Sequence, residues 1–231
     1  QQFLHGEDQL RARVAFALSQ IVVISNSAGD LRPHGMSSYW DMLNRHAFGN
    51  YRDLLEAVTL HPAMGYFLNM LGSQKENPAT GTHPNENYAR EILQLFSIGL
   101  VRLRADGSPE TDTAGQAMAT YDENVVKGYA QAFTGWAFGD EDNTNPERFR
   151  RGDENEESNW TVRMKPWAVW HSSGEKRLLD GRVLPAGQTI EQDMKDALDS
   201  VFAHPNVGPF IGRQLIQRLV TSNPSPAYVA R

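Results

Sequence analysis

Cysteine is absent from this 231-residue chain. That excludes disulfides, thiolate metal sites and thiol nucleophiles together, and it suits a cytosolic or a cysteine-avoiding exported protein equally. Long apolar runs are missing too. The longest, from Val14 to Ile24, is broken by Ser19 and Gln20 and falls short of the roughly 18 residues of a membrane span. No basic stripe of the kind a phosphate backbone needs is visible, so nucleic acid is not an expected partner. The chain contains no HExxH, GxSxG, Walker loop, GxGxxG or paired zinc-ligand pattern. No nucleotide or flavin cofactor is therefore expected, and the spacing of ligand-type residues gives a metal no support.

What is present is an ordinary apolar share of 40% with 22% charged residues, enough at this length to bury a core without staples. The net charge of −6 is unevenly placed. Between Asp140 and Trp160 stand Asp140, Glu141, Asp142, Glu147, Asp153, Glu154, Glu156 and Glu157 against Arg148, Arg150 and Arg151, which leaves the rest of the chain near neutral. The chain opens at Gln1 without an initiator Met and stops at Arg231 inside a helical pattern begun at Pro226. Both ends read as cut, so the expectation is one mainly helical domain, residues 1–231, from a longer protein, with any signal peptide out of view.

Helical periodicity is predicted over Asp8 to Ile24, in a short helix capped by Ser37 or Ser38, and in two helices, Tyr51 to Leu60 and Pro62 to Leu71. Further helices are expected from Pro84, from Asp122 to about Trp136, from Thr189 to Ala203 and from Pro205 to Val220. Arg104 to Thr120 reads as loop with a turn at Asp106-Gly107. Trp160, Val162 and Met164 alternate with polar residues, as in a strand. Asp180-Gly181 joins Lys176–Leu179 to Arg182–Leu184 as a hairpin. The expected fold is an irregular multi-helix bundle with a small β-hairpin excursion around residues 160–185, set in an insertion (139–188) that begins with the acidic loop.

Residues 53–68 align without gaps on residues 196–211, with seven of sixteen positions identical. Each copy holds His-Pro at its centre. Proline disfavours helix at the histidine before it, while its fixed φ suits the first position of the next helix. Two copies of one helical corner are expected. The same geometry accounts for His61, His83 and His204, which all precede proline, whereas His5, His34 and His46 lack a partner at metal-ligand spacing. The run Asp140 to Asn145 fails as a calcium loop, because Asn145 stands where glycine and Arg151 where glutamate is needed.

Residues 85–100 (NENYAREILQLFSIGL) carry a polar opening onto an apolar helix. Glu86 and Arg90 form an i,i+4 pair worth only about 0.3–0.5 kcal/mol if exposed. Glu91 sits at the edge of the apolar sector, where partial burial is expected. Asn85 or Glu86 suits the positive end of the helix dipole, and Asp122 is a plausible cap with Glu123 behind it. Trp136 is expected in the core, with a ring N–H that wants a partner. His171 follows the aromatic residues Trp167 and Trp170.

Those residues, together with residues 121–136 (YDENVVKGYAQAFTGW) and 204–231 (HPNVGPFIGRQLIQRLVTSNPSPAYVAR), resemble the bacterial family called domain of unknown function 1800. Residues 11–25 (RARVAFALSQIVVIS) and 61–69 (HPAMGYFLN) fit it as well. The resemblance implies a large bacterial protein, in many cases exported, with no agreed reaction. It implicates Asn85, Glu86, Arg90, Glu91, Tyr121, Glu123, Trp136 and His171 without assigning roles. Family members commonly show Thr-Glu and then Asp-Val after the tyrosine; Asp122 and Val125 stand here instead, which weakens any role resting on that acidic position.

Three functions remain open. The preferred one is an exported, periplasmic or envelope-associated binding or assembly protein whose partner is another exported protein or a polymer. Its rival is a hydrolase-like enzyme, with or without a metal on Glu91 and His171, using Glu86, Arg90, Glu91, Glu123 and His171 around one point. The third is a scaffold in which Glu86, Arg90 and Glu91 tie helices together.

Overall fold

The computed structural model of the chain describes residues 6–26, 31–139, 142–149 and 157–231. Among them are ten α-helices and two antiparallel two-stranded sheets, so the fold is mainly α with small β excursions.

The first helix, α1 (Gln9–Ser19), is capped by Asp8, which accepts from the Arg11 N–H. It stops well short of Ile24, because Ser19 bonds back to the Phe16 carbonyl and β-branched Ile21, Val22 and Val23 disfavour helix. Tyr39 donates its hydroxyl proton to the freed Val22 carbonyl at 2.7 Å. Helix α2 (Pro33–His46) starts earlier than predicted, with Pro33 in its first turn. Ser38 therefore lies inside the helix and caps nothing.

Next come α3 (Tyr51–Thr59) and α4 (Pro62–Phe67), which meet at His61. Helix α5 (Asn87–Gln94) begins three residues after Pro84, because Asn85 folds into a turn and accepts from the Asn87 N–H at 2.9 Å. Helix α6 (Glu123–Ala132) is capped by Asp122 as expected. Strand β1 (Trp136–Ala137) pairs with β2 (Lys165–Pro166). The predicted strand at 160–164 is not formed. Helix α7 (Glu157–Thr161) occupies its start, and the buried positions are Trp160 and Met164, four apart, while Val162 is exposed. Trp160 is drawn in by Tyr66 and Phe138, whose ring centroids lie 5.3 and 5.6 Å away.

The predicted hairpin is present as β3 (Lys176–Arg177) and β4 (Val183–Leu184), with Asp180 and Gly181 at φ of 54° and 75°. Helices α8 (Ile190–Phe202), α9 (Val207–Leu219) and α10 (Pro226–Val229) complete the chain. Most of the acidic stretch, residues 140–141 and 150–156, lies outside the described residues.

The two corner copies face each other. Leu54, Leu55 and Val58 of α3 and the matching Ala197, Leu198 and Val201 of α8 are all buried. Arg52 ties the two helices across their ends, at 2.7 Å from Asp199. In both copies the histidine Nδ1 accepts from the N–H two residues on, Ala63 at 3.2 Å and Asn206 at 3.1 Å. The copies then diverge. Pro62 opens α4 directly, whereas α9 waits until Val207, because the Asn206 side chain reaches out to Leu103 N–H, Ile98 C=O and Val101 C=O.

The stretch predicted as loop, Arg104 to Thr120, falls almost wholly in an ordered arm over residues 101–119. Its bridges pair Val101 with Ala119, Leu103 with Pro109 and Thr111 with Ala117. Residues 102, 110 and 118 close a ring of backbone hydrogen bonds. Gly107 and Gly115 supply the positive-φ turns of the arm.

Candidate functional site

The sequence-predicted residues fall into two separate centres. The first lies where α5 meets the start of α6. Arg90 donates to Glu86 at 2.8 Å within its own helix and grips both oxygens of Glu123 at 3.0 Å. The Arg90 guanidinium holds the Glu123 carboxyl below the usual carboxylate range. This clamp is half-open to solvent: the Glu86, Arg90 and Glu123 side chains are 35%, 37% and 68% exposed.

Glu91, the next residue, is turned the other way. It is partly buried as the helical wheel predicted, and burial raises its pKa against the pull of Arg90. Its Oε2 is buried and has no hydrogen-bond partner among the described residues. The same is true of the Tyr121 hydroxyl. Burial raises the pKa of that phenol as well; the charge of Arg90 opposes the rise, and those of Glu91 and Glu123 add to it. A clamped guanidinium thus lies near two buried oxygens that have no partner among the described residues, an arrangement that costs stability unless water or a group outside the chain completes it.

The second centre is fully buried. His171 places Nε2 at 2.7 Å from Asp193 Oδ2, and Lys176 Nζ lies 2.7 Å from the same oxygen. Lys176 also donates to the Gly174 carbonyl at 2.9 Å. The other ring nitrogen of His171 meets the Thr134 carbonyl at 2.9 Å and its hydroxyl at 3.2 Å. The Ser172 N–H binds that hydroxyl at 2.9 Å. The Lys176 and Asp193 side chains are 0% exposed, whereas Glu91 and Tyr121 are only partly buried.

Thr134 follows the end of α6, whereas Glu123 opens it. The ten residues of α6 rise about 15 Å, so Thr134, which His171 touches, lies at the far end of that helix from Glu123. The structure therefore brings Glu86, Arg90, Glu91, Tyr121 and Glu123 together and leaves His171 apart. Asn85 is exposed, and its backbone N–H goes to Ser73. Trp136 is 2% exposed with its ring N–H unpartnered among the described residues. Among those residues no group of three or more His, Asp or Glu side chains is placed to hold a metal. Asp142 spends one oxygen on the Thr144 N–H and hydroxyl, while Asp140 and Glu141 lie outside the described residues.

Lys176 and Asp193 were not picked out from the sequence, although a signal existed. Asp193 falls on the stripe Ile190, Met194, Ala197, Leu198, Val201, where a solvent-facing acid does not belong. Lys176 alternates with Leu178 on the inner side of its strand.

These features define a mainly helical domain with a polar cluster at the head of one helix and a buried ion centre beneath a hairpin. The chain belongs to the family described as Protein of unknown function (DUF1800), whose model matches residues 1–231. No curated protein and no solved structure matches it. No helix among the described residues is long and apolar enough to cross a membrane.

Proposed function

We propose that this chain is the binding and assembly part of an exported or envelope-associated bacterial protein, and that the polar cluster at Glu91 and Tyr121 is its recognition site. The observation that carries this reading is the pair of buried oxygens without partners, Glu91 Oε2 and the Tyr121 hydroxyl, beside an arginine already saturated by two carboxylates. A phenol donor next to a carboxyl suits a partner rich in hydroxyls or amides, as in a polysaccharide or a peptide backbone. The export assignment is supported by the family resemblance. The hydrolase alternative loses its support from geometry, since His171 stands away from the glutamates and both its ring nitrogens are engaged.

The test is affinity capture from the envelope fraction of the native host, using the wild-type chain, Glu91→Gln and Tyr121→Phe, with each bait checked for folding. A partner retained by wild type and lost from both variants supports the reading. Turnover of an ester or glycoside that vanishes in those variants, with no partner captured, refutes it.

A further inference from the structure

A cleft borders the α2–α3 turn. The two helices diverge from Ala47–Asn50 and leave a cleft of about 490 Å³ between them, within the range of small-molecule sites. Met42, Ala57 and Leu60 give it an apolar floor, and Ser38, His61 and Thr161 line it as well.

A serine beside a histidine invites a catalytic reading, and the hydrogen bonds exclude it. His61 Nδ1 accepts from the Ala63 N–H, so the proton of the neutral ring sits on Nε2 and points at Ser38 Oγ, 3.2 Å away. Ser38 sends its own proton to the Trp160 carbonyl at 2.8 Å. The imidazole has no lone pair free to activate that hydroxyl.

The charges around the cleft are more telling. Arg52 is consumed by Glu56 and Asp199, and Arg163 stands 3.5 Å from Glu56. Arg45 and Asp53 also line the cleft, yet neither forms a hydrogen bond or ion pair through its side chain among the described residues. Helix-end electrostatics account for a cation in the last turn of α2 and an anion in the first turn of α3. They do not require both to face one apolar-floored cleft without meeting. We propose that the cleft binds a zwitterionic ligand of the α-amino-acid class: its carboxylate on Arg45, its ammonium on Asp53 and its apolar side chain on the Met42–Ala57–Leu60 floor. This site is independent of the Glu91 cluster and stands or falls without it.

The test is isothermal titration of the whole chain with L-leucine, 4-methylpentanoate and 3-methylbutylamine, the last two keeping the apolar body with one charge each. Leucine is expected to bind, and each single-charge analogue to bind about tenfold or more weakly, the loss of one charge-assisted pair. Arg45→Gln and Asp53→Asn, both exposed and so expected to fold normally, should each weaken leucine binding about tenfold or more. Absence of leucine binding overturns the proposal. So does equal affinity for the analogues, or affinity unchanged in the two variants.

Discussion

Lys176 and Asp193 are charged residues with no exposure to water, and their pairing decides what substitution does to them. Removing Lys176 leaves Asp193 buried with His171 alone and a carboxylate oxygen already lacking a partner. Lys176→Met should therefore lower unfolding free energy by roughly 3–5 kcal/mol in denaturant titrations. Replacing the partner too, in Lys176→Met with Asp193→Leu, should recover part of that loss, since matched apolar groups need no counter-charge. His61 makes the complementary pH prediction. Burial, with the nearby charge of Arg45 in the same sense, lowers its pKa to about 4 from 6.5. The folded state thus binds its proton less readily than the unfolded state does. The corresponding stability is complete above pH 6.5 and is lost as pH falls toward 4, a drop of about 3 kcal/mol. His61→Asn, which keeps a cap acceptor for Ala63, should flatten that part of the stability–pH curve.

At the scale of elements, the helices were legible because apolar periodicity and capping residues agree: Asp122 and Thr189 cap α6 and α8 as predicted. Boundaries failed where tertiary contacts outweighed local preference. Tyr39 takes the Val22 carbonyl and ends α1 early. Trp160 turns a two-residue alternation into a helical pair by packing on Tyr66 and Phe138. The arm at 101–119 could not be read from periodicity, because its order lies in backbone hydrogen bonds between three short segments and not in an apolar face. Its junction with α5 gives a test. Gly99 has φ of +73°, and an added Cβ would lie 2.7 Å from the Phe210 ring. Gly115 has φ of +78° with nothing within 4 Å. Gly99→Ala should cost more than about 1 kcal/mol, and more than Gly115→Ala, where only backbone strain is added. Thermal melts of the two variants side by side measure the difference as the share due to packing.

Across the whole molecule, the duplicated corner sets the plan. Its two copies bury matching faces against each other; the polar cluster is built on α5 and α6, between the copies in sequence, and the ion centre ties the hairpin to α8, which carries the second copy. The duplication was visible as seven matched residues, but the separation of His171 from the glutamates was not, since sequence spacing says nothing of which end of α6 each packs against. Of the candidate site, the orientation of Glu91 was readable from the helical wheel. The grip of Arg90 on Glu123, thirty-three residues away, required the fold.

On the proposed reading, Glu91 is held in place at a cost to the folded chain, for the sake of a partner. Unfolding free energy of wild type and Glu91→Gln, measured from pH 4 to 8, tests this directly. Because burial raises the folded-state pKa of Glu91, its ionisation weakens the fold as pH rises through and above the ordinary carboxylate range. Glu91→Gln is predicted to match wild type at low pH and to become the more stable chain at neutral pH. A variant less stable than wild type at neutral pH would show that the glutamate is an internal structural contact, and the cluster would cease to be a recognition site.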